Sequence, residues 1–167
     1  MPKRSLKEIQ MLTVKYIAPA LFGIALSLTP VSGFAQSTSH DGHAASELAL
    51  TLNAGAKWQG DDNMHKGMDA IRTAFAADLD AIHEDRLLAE DYKTLAAEVM
   101  AQTDFMIENC VLEPAVDEQL HSVLGQVIEG ASDMEAGSEP RAGAVLVVEA
   151  LNAYGEHFEH PGWQPLD

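Results

Sequence analysis

The chain has 167 residues, with 26 Asp and Glu against 10 Lys and Arg, seven His, seven Met and one Cys. A formal charge of −16 argues against binding a phosphate backbone or an anionic lipid surface, both of which need clustered Lys and Arg. A lone Cys supports neither an internal disulfide framework nor a CxxC redox pair.

The first 35 residues read as a cleavable secretory signal, which makes the expected location periplasmic. Lys3, Arg4, Lys7 and Lys15 form a basic start, and an apolar run from Tyr16 to Leu28 follows, too short for a membrane span. Gly33-Phe34-Ala35 sets small residues before Gln36, so cleavage is expected after Ala35. Without that leader the chain carries 25 acids and six bases, a charge of −19. Residues 36–60 are expected as a flexible N-terminal segment. Its start, from Gln36 to His43, is polar, and residues 44–60 approach the folded domain with Trp58 packing on it.

Residues 61–167 carry helical periodicity. Met64, Met68, Ile71, Phe75, Leu79 and Ile82 step by three or four, and Asp61 or Asp62 caps this first helix. A second helix runs from about Ala89 to Asn109, with Tyr92, Leu95, Val99, Met106 and Cys110 on one stripe that Gln102 interrupts. Pro114 opens a third, carrying Val116, Leu120, Val123, Leu124, Val127, Ile128 and Ala131, and a break is expected over Asp133–Gly137. Ser138, Glu139 and Pro140 begin a fourth, which carries Ala144, Val147, Leu151, Tyr154 and Phe158 and stops at Pro161-Gly162. Four such helices joined by short turns give an all-α, antiparallel up-down-up-down four-helix bundle.

That order brings the start of helix one, the end of helix two, the start of helix three and the end of helix four to one end. Met64, His65, Met68, Met106, Cys110, His121, His157 and His160 collect there. Thioether, thiolate and imidazole suit copper, and bundle interiors commonly hold metals between facing helices. The expected metal ligands are Met68, Met106, Cys110, His121 and His157, with His65 and His160 on the exposed side. The same residues have a plain reading as core filler, a small buried thiol and seam imidazoles. The role is expected to be metal binding or delivery, with another envelope protein as a further partner, and not catalysis. No nucleic-acid or membrane partner is expected once the leader is gone. No oxyanion-hole loop accompanies Cys110 and His121, and Glu118-Gln-Leu-His121 is the single ExxH where a carboxylate di-metal bundle needs two.

Lys57-Trp58-Gln59, Gly67-Met68, Asn109-Cys110-Val-Leu-Glu-Pro114, Leu120-His121 and Leu151-Asn-Ala-Tyr-Gly155 together resemble a group of small secreted proteobacterial proteins, over about Leu50 to Leu166. That resemblance implies fold and compartment, not activity. The layout is also similar to the soluble four-helix b-type cytochromes. This resemblance implies haem b as the cofactor, held axially by Met68 and by His157. In that family the ligand His directly follows Asn-Ala-Tyr. Here Gly155 stands in that place and His157 lies two residues on, roughly 200° around the helix.

Overall fold

The computed structural model describes residues 48–167. The leader, its cleavage point and the polar stretch from Gln36 to His43 lie outside the described residues. Four helices make the fold: α1 (Asp62–His83), α2 (Ala89–Asn109), α3 (Pro114–Ala136) and α4 (Pro140–His157). The all-α, four-helix expectation holds.

Each helix starts or stops for a local reason. Asp61 precedes α1 in an extended conformation, and its carboxylate accepts the Met64 N–H at 2.7 Å, satisfying a donor that has no partner within the helix. Pro114 and Pro140 stand in the first turns of α3 and α4, where a missing N–H costs nothing. α3 continues past Asp133, where a break was expected, because Ala131 and Met134 extend its buried stripe by one turn. It ends at Gly137, whose φ of +73° is the left-handed geometry that closes helices and suits glycine.

The apolar stripes meet in one core. Met64, Met68, Ile71 and Phe75 of α1 are buried with Leu95, Val99 and Met106 of α2, Val123 and Val127 of α3, and Val147, Leu151 and Tyr154 of α4. The stripe of α2 does not lapse at Gln102. It passes through Thr103, fully buried, whose hydroxyl donates to the Val99 carbonyl at 3.0 Å and so needs no outside partner. α3 and α4 approach most closely where Gly130 faces Gly143, since a Cβ on either would overlap the other's carbonyl oxygen.

Hydrogen bonds tie helix ends together. The Asn63 side chain donates to the Asn109 carbonyl at 2.8 Å, joining the start of α1 to the end of α2. Arg141, at the start of α4, donates to the Ile82 and His83 carbonyls at 3.0 and 3.3 Å, closing the end of α1.

Phe158 departs from expectation. It is buried, but it has left α4 and begins the two-residue strand β2 (Phe158–Glu159), paired in parallel with β1 (Trp58–Gln59). Trp58 packs against the core as expected, and its indole N–H donates to the Thr51 carbonyl. Thr51 N–H reaches Gln119 on α3 at 2.8 Å, and Lys57 reaches the Gly155 carbonyl at 2.6 Å. Among the described residues no helix is long and apolar enough to cross a membrane.

Candidate functional site

The sulfur-bearing end is built where α1 begins and α2 ends. Met64 and Met68 point into the core, one helical turn apart, and neither is exposed. Met106 comes from α2 and crosses over Gly67, its Sδ 2.6 Å from where a Cβ on that residue would stand. Gly67 therefore decides where this thioether lies. Any larger residue would push it away from α1, beside Met68.

Cys110 sits just past α2, half-buried, with its N–H donating to the Met106 carbonyl at 2.9 Å. The Asp61 carboxylate stands beside its thiol. That carboxylate also accepts from Met64 N–H and, at 2.7 Å, from Val111 N–H. Burial works to raise the Asp61 pKa, but the hydrogen bonds from Val111, Met64, Cys110 and Asn63 outweigh it and hold the carboxyl below its ordinary value. The same arrangement keeps Cys110 protonated. Burial, then the Asp61 charge and hydrogen bond, then Asp117 push the thiol up to about 12. A thiolate ligand here forms only when a cation displaces the proton.

The two expected imidazole ligands stand differently. His121 faces solvent instead of the helix seam, and its Nδ1–H donates to the Asp117 carbonyl one turn back at 2.9 Å. Asp117 also sets a carboxylate oxygen 3.4 Å from that nitrogen. His157 is half-buried, and its Nδ1–H donates to the Ala153 carbonyl at 2.8 Å. Both bonds fix the tautomer and leave Nε2 as the open lone pair, the form in which histidine ligates metal. Among the described residues no three His, Cys, Asp or Glu side chains gather around one point. The sulfur group is therefore three thioethers and one thiol. For haem, Tyr154 and Phe158 matter. They stack with ring centroids 4.9 Å apart and are fully buried, so the interior next to His157 along the chain is already filled by aromatic rings.

A second constellation centres on His160, expected on the exposed side and found buried. Its Nδ1 accepts the Tyr154 hydroxyl at 2.9 Å, so its Nε2 carries the proton and lies 3.2 Å from the Asp69 carboxylate. Burial lowers the His160 pKa, Asp69 opposes and His65 adds to the lowering. The contact with Asp69 is therefore made by a neutral ring. Burial, then the Asp69 charge, raise the Tyr154 phenol well above its usual range, so it stays a donor. The His65 ring lies 4.4 Å from that of His160, and its Nε2–H donates to the Glu159 carbonyl at 3.1 Å. Trp163 covers the group, resting on Gly155, where a Cβ would collide with its indole.

The Tyr154 hydroxyl and both ring nitrogens of His160 have partners within the fold, which makes the group a clamp holding the residues after α4 onto α1. Asp69 and Tyr154 were not anticipated in it. The one sequence signal was His160-Pro161-Gly162-Trp163, a turn that returns an aromatic residue to the histidine, and the Trp163 N–H does close on the His160 carbonyl at 3.1 Å. Compared with known families, curated proteins and solved structures, the chain matches none.

Proposed function

We propose that the protein is a periplasmic binding or delivery protein for a transition metal, copper in the cuprous state first, and not an enzyme. One observation carries the reading: Met64, Met68 and Met106, from two helices, share an end of the bundle with the only cysteine. Thioether and thiolate sulfur prefer Cu(I) over harder ions. Met68, Met106 and Cys110 form the centre of the ligand set, with the free Nε2 atoms of His157 and His121 as the imidazoles that complete it or pass the ion on. The negative charge of the chain raises the local cation concentration. The periplasmic location rests on the basic-then-apolar leader of residues 1–35, and a second envelope protein is the expected recipient.

The test is a Cu(I) competition titration against a chromophoric chelator under anaerobic conditions. One ion per chain is expected, held more weakly in Met68→Leu, Met106→Leu and Cys110→Ala. Affinity should rise with pH, because the Cys110 proton must leave. A haem carrier using Met68 and His157 would instead show a Soret band on purification or haem titration. A second reading, a metal-free bundle that binds an envelope partner, is favoured by the complete burial of the three thioethers, the usual state of methionine as core filler. No uptake of Cu(I) or haem would select it.

A further inference from the structure

Met64 and Met68 have no exposed surface and Met106 has 1%, so an ion reaches these thioethers only when part of the fold moves. Two of the helix seams are closed by the helices themselves. α1 and α2 close where Met106 crosses Gly67, and α3 and α4 close where Gly130 faces Gly143. α1 and α4 touch each other far less. The segment after α4, residues 158–167, bridges them instead.

That segment holds both helices at once. On α1, His65, Asp69 and Arg72 are spaced by four and three residues and share one face. His65 donates to the Glu159 carbonyl at 3.1 Å, and Asp69 lies 3.2 Å from His160 Nε2. Arg72 donates to the Gln164 carbonyl, and its guanidinium lies 5.8 Å from the centre of the Trp163 ring. On α4, Tyr154 donates to His160 and Trp163 rests on Gly155. Asn152 pairs with the main chain of Leu166, donating to its carbonyl and accepting its N–H, both at 2.8 Å.

The start of the segment is anchored, because Phe158 is fully buried and paired with Trp58. Beyond it the contacts are of a kind that opens locally. The Gln164 and Leu166 main-chain groups exchange their side-chain partners for water on release, at a small net cost. No helix–helix contact has to break. His65 and Asp69 directly follow Met64 and Met68, about 100° round the helix, so the bridged seam borders the thioether stripe.

We infer that residues 160–166 are a strap whose release from α1 and α4 admits Cu(I) to the buried thioethers, an inference that rests on the metal-binding reading. The strap sets how fast the ion enters and leaves. It supplies none of the ligands, so it leaves the equilibrium affinity alone.

The experiment is anaerobic stopped-flow uptake of Cu(I), supplied as its acetonitrile complex, by the full chain and by Asn152→Ala and Arg72→Met. Both substituted residues favour helix, and an unchanged circular dichroism spectrum checks that α1 and α4 persist. The uptake rate should level off as Cu(I) rises, because opening limits it. The plateau should stand at least about fivefold higher in each variant, the effect of removing one or two hydrogen bonds from the closed state. Affinity from chelator competition should change by less than about twofold. Hydrogen exchange at the Trp163 and Leu166 amides, which needs no metal, should run at least about tenfold faster than in the middle of α1 and α4. A rate proportional to Cu(I) throughout, a plateau equal in all three proteins, or strap amides as protected as the helices overturns the inference and leaves the metal reading standing. No uptake by any of the three removes the metal reading and the inference with it.

Discussion

Tyr154 and His160 lie six residues apart and meet hydroxyl to ring nitrogen at 2.9 Å, across the point where α4 gives way to β2. With the phenol as donor the pair needs a neutral imidazole, because a protonated Nδ1 has no lone pair to accept it. The folded His160 pKa lies below the ordinary 6.5. The unfolded chain therefore binds the proton more readily. Stability from this clamp is complete above about 6.5 and is lost as pH falls through the lower folded value. Thermal melts between pH 7.5 and 5 should show a falling midpoint. His160→Gln, which cannot take up the proton, should start lower at pH 7.5 and show a shallower slope. An identical slope would remove His160 from the explanation.

Asp61 joins a local cap to a contact fifty residues away, through Met64 N–H and Val111 N–H. Asp61→Ala strips both donors of their acceptor and should cost about 2–3 kcal/mol in urea denaturation, more than the roughly 1 kcal/mol of a simple cap loss. Asp61→Asn keeps one acceptor oxygen and should fall between the two. The carboxyl is held below its ordinary 3.8. Its stabilisation is therefore present above that value and disappears as pH falls through the folded one. The cost of Asp61→Ala should shrink accordingly in strong acid.

Cys110 should be a slow nucleophile. With its thiol pushed from 9.0 up to about 12, the thiolate fraction at pH 8 is two to three orders of magnitude below that of an ordinary cysteine. Labelling by iodoacetamide should be correspondingly slow, and Asp61→Asn should accelerate it by removing the adjacent charge. A free-thiol rate in the native protein would contradict the Asp61 contact.

Glycines in one helix should behave oppositely. Gly130→Ala places a methyl against the Gly143 carbonyl and the Val147 side chain and should destabilise by about 1–3 kcal/mol, as overpacking does. Gly125→Ala, in the same helix with nothing within 4 Å, should stabilise by about 0.5–1 kcal/mol through the entropy of the unfolded chain. Chemical denaturation of the two variants side by side distinguishes the packing argument from a general helix-propensity effect.

The helices were legible because their signals are local. Asp61, Pro114 and Pro140 mark starts, and apolar residues at three- and four-residue spacing mark the buried faces. What escaped was non-local. Thr103 belongs to the core of α2, but a hydroxyl hides it from a hydrophobicity pattern until its bond to Val99 is known. Phe158 fits the α4 stripe by spacing and is buried, yet the pairing with Trp58, one hundred residues earlier, takes it out of the helix. His160 was placed outside because it lies off the apolar stripe of α4. Its burial depends on Asp69 from α1 and on Trp163 closing over it. The candidate sulfur group was legible as a clustering of residue types, whereas the outward turn of His121 toward Asp117 was not. The role of Gly67 is a matter of clearance across two helices and has no counterpart in residue spacing.

The pairing of β1 with β2 has a mechanical consequence. The two strands run in the same direction, one before the first helix and the other after the last. A pull on residues ahead of Trp58 and behind Glu159 loads them along their length in opposite senses. Parallel strands so loaded slide rather than peel, and all cross-links between them share the force until they fail together. Short as this ladder is, it places a shear lock across the ends of the bundle, with the Lys57 bond to Gly155 alongside it. Tension from a neighbour attached at either end would first load the Thr51 contact with α3 and the His160 clamp on α1, and then that lock.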